Sequence, residues 1–340
     1  MSRKKESLMN KKTKHLVRAT ALATSLFAAG GAHALTLPTV TNCGYDGDLA
    51  NLMCYTTETG AQVYIASAHD DFISYSVNAM QELTNSFGYS SLSAWSTLPS
   101  FGTGQIVKLF GFNEGNNDPF PDATVGTGDN NTGDDADQTP RNDGNYMGEW
   151  PVEAVVTVGQ LQAFLGSNLF TPVFSFDLNN RANLSLNGQL QVLRNGVTED
   201  TFAFDNVFNS AYDEDSKVLA QATVPVTWYD PQNTSAGCGL TIEGVEGFCS
   251  MEVKNNVGSG KPDFFAYAPS FDLRNYEATD TLYFQLRMWG LDSGGEELAF
   301  TNIISTPVTP PASQVPEPGV LALLGLGLLG LGAVRRKSPR

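Results

Sequence analysis

Between Leu35 and Thr301 the apolar positions recur in short β-branched and aromatic runs, separated by clusters of Gly, Asn, Asp and Pro. Residues 61–65, 106–110, 154–158, 173–176, 184–186, 190–192, 218–226, 264–267 and 281–289 have this form, and each predicts a strand. Asn187-Gly188, lying between the runs at 184–186 and 190–192, has the chemistry of a two-residue hairpin turn. Helical periodicity is scarce. Val77, Met80, Leu83, Thr84 and Phe87 share one face of a helix over 77–87, and a short helical turn is predicted over 159–166. Many short strands with turn signals between them predict an all-β body, an antiparallel β-sandwich of jelly-roll type.

One stretch breaks the pattern. Residues 113–148 lack apolar periodicity and are rich in Asp, Asn and Gly, so they predict a single long acidic loop. Residues 305–315 form a Pro-rich linker in which Pro307, Pro310 and Pro311 remove backbone donors and stiffen the chain.

The two ends have a different pattern from the body. Seven basic residues precede an uncharged block at 19–29 and the small-residue ending Ala32-His33-Ala34, the three-part layout of a secretory signal cut after Ala34. At about 1.5 Å rise per residue, an 11-residue block is too short to cross a bilayer core of about 30 Å as a helix. Such a signal engages the Sec translocon. At the other end, Val315-Pro316-Glu317-Pro318 is followed by an uncharged Leu- and Gly-rich block at 319–334 and then by Arg335, Arg336, Lys337 and Arg340. That block is a marginal transmembrane helix, and the cations beyond it favour a cytoplasmic C-terminus, which leaves the body outside. Inside it, Gly325-Leu326-Gly327-Leu328-Leu329-Gly330 satisfies the dinucleotide fingerprint by letter only, because no strand precedes it and no acidic residue follows.

Together, Val315-Pro316-Glu317-Pro318, the Leu/Gly block and the basic end marked by Arg335 and Arg336 resemble the PEP-CTERM sorting region of Gram-negative bacteria. The resemblance covers about the last 25 residues. It implies a membrane-embedded, cysteine-dependent exosortase as processing partner, cutting near the Pro-Glu-Pro motif. The expected organisation is a signal at 1–34, an extracellular β-sandwich domain at 35–304, a linker at 305–315 and a sorting signal at 316–340. The membrane is contacted only through the C-terminal helix before cleavage.

Charge narrows the functional classes. Between Leu35 and Val334 there are nine basic and 35 acidic residues, a net charge of about −26. An anionic duplex would be repelled, so nucleic-acid binding is excluded. Cys43, Cys54, Cys238 and Cys249 fall as two local pairs, each enclosing ten residues. In an oxidising compartment two short-loop disulfides are the natural reading, although four cysteines allow three connectivities.

Catalytic chemistry is sparse. His69 is the single histidine after residue 34, which rules out a His-rich zinc site, and there is no Gly-x-Ser-x-Gly elbow. His69 reads as a surface residue in a turn. No organic cofactor is expected, and calcium is the one candidate ion. Hard cations take six to eight oxygens, and Asp129, Asn131, Asp134, Asp135 and Asp137 gather side-chain oxygens around Gly133. The segments 46–48 and 292–297 are weaker versions of the same arrangement. The expectation is an exported, non-catalytic surface or matrix protein, structural or adhesive in a biofilm and in contact with exopolysaccharide. The alternative is an exported polysaccharide-active hydrolase or lyase that uses paired carboxylates.

Overall fold

A computed structural model describes residues 35–44, 46, 50–100, 106–110, 144–151, 155–166, 169–178, 185–204, 223–256, 258, 260–291 and 296–307. The chain divides into a unit Met1–Thr306 and a unit Pro307–Arg340, and the fold below is that of the first.

The element order opens with strands β1 (Leu35–Thr36), β2 (Thr41–Asn42), β3 (Leu52–Thr56), β4 (Gln62–Ala68) and β5 (Ile73–Ser76), then helix α1 (Val77–Asn85). After β6 (Ile106–Phe110), β7 (Gly144–Trp150) and β8 (Val156–Thr157) comes helix α2 (Val158–Leu165). Then follow β9 (Val173–Asp177), β10 (Ser185–Arg194), β11 (Val197–Ala203), β12 (Thr223–Tyr229), β13 (Leu240–Ile242) and β14 (Val245–Lys254). The last are β15 (Phe264–Tyr267), β16 (Thr281–Leu291), β17 (Glu297–Thr301) and β18 (Ile304–Ser305). The protein is therefore mostly β.

Eight strands form one sheet in the order β2-β3-β4-β5-β15-β9-β17-β6. A second sheet runs β11-β10-β16-β7, with β8 also on β16, and a third runs β12-β14-β13. The ladders in these three sheets are antiparallel. The pair β1 and β18 is parallel.

The large sheet is covered on both faces, which explains why its central strands read as continuous apolar runs. All five residues of β9, all four of β15 and all five of β17 are buried. Phe174, Phe176, Phe264, Leu298 and Phe300 enter one core together with Leu190, Leu282, Phe284 and Leu286 of the second sheet. There Phe174 lies 5.2 Å from Phe284 and 4.8 Å from Phe300, centroid to centroid. On the opposite face, Val63, Ile65, Tyr75, Val173 and Phe265 meet α1 and the inner residues Val226, Trp228, Cys249 and Met251 of the third sheet. Helix α1 starts because the Ser76 hydroxyl accepts from the Ala79 amide at 3.2 Å, and Val77, Ala79, Met80 and Leu83 are its buried face.

Several sequence expectations change. Asn187-Gly188 is not a turn: it lies inside β10, paired with Arg287 and Leu286 of β16. The hairpin turn is Asn195-Gly196, where φ values of 53° and 79° give the left-handed pair that a type I′ turn needs. The run at 154–158 is strand only at Val156–Thr157, because a capping box between Thr157 and Gln160 starts α2 there. The acidic loop also ends earlier than expected, since Gly144–Trp150 is β7, paired along β16.

Candidate functional site

The residues with the most specific sequence signal, Val315, Pro316, Glu317, Pro318, Arg335 and Arg336, lie outside the described residues. So do Asp129, Asn131, Asp134, Asp135 and Asp137 of the acidic loop. Among the described residues no group of three or more His, Cys, Asp or Glu side chains is arranged to hold a metal ion.

The cysteines form two local disulfides, Cys43–Cys54 and Cys238–Cys249. The first ties the start of the body to β3, and the second joins the turn before β13 to the buried Cys249 of β14. Each closes a short loop, a constraint of roughly 2–3 kcal/mol on the unfolded chain.

His69 is half-buried, not a surface residue. Its Nε2 is 2.8 Å from the Ser74 hydroxyl, and its ring stands edge-on to Phe204 at 6.0 Å. The adjacent backbone is fixed to the end of β11: the Asp71 amide donates to the Ala203 carbonyl at 3.1 Å, and the Ala203 amide donates to the Asp71 carboxylate at 2.8 Å. A Ser–His pair is therefore present, but Ser74 is 3% exposed, which closes its hydroxyl to a substrate. The contacts are those of a brace between β5 and β11.

A group of carboxyls that sequence reading missed lies at one end of the large sheet. Asp177 closes β9 opposite Glu297 of β17, and Asp263 immediately precedes β15. Their exposures are 0%, 9% and 0%. Asp263 is held by the backbone: its amide donates to the Phe176 carbonyl at 2.7 Å, and its carboxylate accepts from the Leu178 amide at 2.7 Å. Asp177 Oδ2 accepts from the Gly260 amide, while Oδ1 has no hydrogen-bond partner among the described residues. Burial first, then the charges of Asp263 and Glu297, push the Asp177 carboxyl up to about 8 against the pull of the Gly260 and Lys261 amides. Asp177 thus holds a proton at neutral pH. The available signal was a carboxylate ending the apolar run Val173-Phe174-Ser175-Phe176.

The third sheet carries a partly exposed apolar row. Tyr229, Phe248 and Leu240 are register partners across β12, β14 and β13, with Tyr229 49% and Leu240 42% exposed. Ile242 and Val245 extend exposed apolar surface to the hairpin end. Beneath this sheet, Asp230 accepts from the Tyr89 hydroxyl at 2.5 Å and from the Thr59 hydroxyl at 2.7 Å, and the Trp228 indole donates to the Tyr89 oxygen at 3.0 Å.

Residues 314–337 match the family model of the PEP-CTERM protein-sorting motif. No curated protein and no solved structure matches the chain. The matched segment contains the Pro-Glu-Pro motif, the Leu/Gly block and Arg335 and Arg336. It marks an exported chain that an exosortase sorts through the membrane to the cell surface. By the motif at residues 314–337, the chain is a PEP-CTERM protein.

Proposed function

We propose that this protein is a non-catalytic component of the cell surface or exopolymer matrix, structural or adhesive in a biofilm, with exopolysaccharide as its contact. The single observation that carries the reading is the sorting motif at 314–337 attached to a mostly β body. Its two larger sheets, sharing one core, act as a jelly-roll-like β-sandwich, and the block at 319–334 is the transient transmembrane helix. The row Tyr229, Phe248 and Leu240, exposed at its two ends and half-buried at Phe248, supports an adhesive role, since an apolar and aromatic strip on a polar surface is a contact surface in waiting. The strong negative charge keeps the delivered bodies soluble and apart.

Pro316→Ala combined with Glu317→Ala tests the reading in the native cell. Uncut precursor is expected to accumulate in the membrane fraction, seen by mass spectrometry of its C-terminus. Processing at the normal rate would count against it.

The second reading, a carboxylate-dependent polysaccharide hydrolase, draws on Asp177, whose raised pKa is what a general acid needs. Such acids face a cleft, with the two carboxyls about 5–9.5 Å apart across the sugar. Asp177 is fully enclosed, so its pKa is better read as a consequence of packing.

A further inference from the structure

The first and last strands of the body pair with each other. Leu35 and Thr36 of β1 lie parallel to Ile304 and Ser305 of β18, across 269 positions of chain. The Leu35 nitrogen donates to the Ile303 carbonyl at 2.6 Å and the Leu37 amide to the Ser305 carbonyl at 2.8 Å. The Thr36 and Ser305 hydroxyls add a bond of 2.8 Å. Leu37 and Ile304 are each 1% exposed in the core beneath, with Leu35 and Ile303 packed against it.

Each half of this clasp adjoins a processing signal. Leu35 is the residue that follows the expected signal cut, and Pro316 stands eleven positions beyond Ser305. We infer that the β1–β18 clasp fixes the order of the two cuts: the signal is removed while β1 is unpaired, closure then protects that junction, and the tail is cut last, from a closed body. The inference rests on the export and sorting reading above.

A protease holds its substrate extended and takes up the backbone groups beside the scissile bond, as an added strand does. The clasp already uses those groups on Leu35 and Leu37, so clasp and peptidase exclude each other. In the cut, water adds across the Ala34–Leu35 peptide bond. Its oxygen goes to the Ala34 carbonyl carbon, giving a carboxylate, and both its protons go to the Leu35 nitrogen, giving an ammonium. That ammonium keeps the donor for the Ile303 carbonyl and adds a charge to it. Topology supplies the time: at about 5–20 residues per second, 269 positions delay the arrival of β18 by on the order of ten to fifty seconds. The sorting motif has no such deadline, because it follows the clasp and the linker.

Two measurements test this. In native cells, pulse-chase with mass spectrometry should reveal a signal-free, tail-bearing intermediate; a tail-free species still carrying its signal overturns the order. Tail cutting that never occurs would instead sink the sorting reading. In micelles, signal peptidase should release the signal from folded full-length chain at least about tenfold more slowly than from urea-unfolded chain, the ratio set by how often the clasp opens. Ile304→Asp with Ser305→Pro should bring the folded rate up towards the unfolded one while leaving the peptidase's own recognition residues intact. Ser305→Pro alone, which keeps Ile304 in the core, serves if the double variant does not fold. Equal rates for folded and unfolded wild-type chain, or a folded variant as slow as wild type, overturn the proposal.

Discussion

Asp177 carries a pH signature of its own. Its folded pKa, pushed up to about 8 by burial and by Asp263 and Glu297, stands above the ordinary value of about 3.9 that it regains on unfolding. A raised folded pKa means that the native state keeps a proton the unfolded chain releases. Its contribution is fully present below about pH 4, falls as pH rises, and is lost once pH passes about 8. Asp280, Asp272 and Glu58 have the opposite sense, with pKa values held low by Arg194, by Arg274 and, for Glu58, against its burial by its own backbone amide and donors on Ser91 and Ser90, so their contributions fade in acid. Comparing Asp177→Asn with wild type removes those common terms. Between pH 5 and pH 9 the Tm of wild type is expected to fall relative to that of Asp177→Asn, at about 2–4 °C per kcal/mol for a domain of this size. Parallel Tm curves would show that Asp177 does not hold the proton. Sequence could not display this group, because Asp177, Asp263 and Glu297 come together only through the pairing of β15, β9 and β17.

At the scale of elements, the same dipeptide has two fates. Asn195-Gly196 turns the chain between β10 and β11, whereas Asn187-Gly188 runs straight through β10. The distinguishing signal is in the alternation: Leu186, Leu190 and Val192 keep period two across Gly188, and all three are buried. Gly188 is there for lack of a side chain. A Cβ at that position would meet the Phe284 ring at 3.0 Å and the Gln285 carbonyl at 3.1 Å. Gly188→Ala is therefore expected to destabilise the body by about 1–3 kcal/mol, as overpacking does. Gly196→Ala should cost about 1–2 kcal/mol for a different reason, the left-handed backbone at φ 79°. Denaturant unfolding with unchanged m-value checks both, and a Gly188→Ala variant within 0.5 kcal/mol of wild type, the range of ordinary surface changes, would remove the packing argument. Strands with strong intrinsic patterns, such as Ile106–Phe110 and Phe264–Tyr267, were legible to the residue. Gly144–Trp150 was not, since its glycines and polar residues pair because β16 offers a long partner. The capping box at Thr157 was readable, but the β-branched run across it masked the change from strand to helix.

For the molecule as a whole, the β class was legible because both faces of the large sheet demand apolar runs, whereas the third sheet was only half legible. Its strand β12 was anticipated at 218–226, but β13 has three exposed residues and little pattern of its own. Net charge was also legible, and it sets a global expectation. About −26 on the body means self-repulsion, which salt screens within a Debye length of about 8–10 Å. Sodium chloride should raise Tm smoothly between 10 and 150 mM, ionic strengths over which that length shortens from about 30 to about 8 Å. We propose that calcium does more at equal ionic strength, because Asp129, Asn131, Asp134, Asp135 and Asp137 concentrate hard oxygen donors in one segment. At a hundredfold excess over its Kd, a single bound ion stabilises by about 2.7 kcal/mol, a rise of roughly 5–11 °C for a domain of this size. Replacing Asp129, Asp134, Asp135 and Asp137 with Asn should abolish that excess while leaving most of the sodium effect, since four charges are a small part of the total. Calcium and sodium curves that coincide at matched ionic strength, with no heat in a calorimetric titration, would leave the segment a source of charge alone.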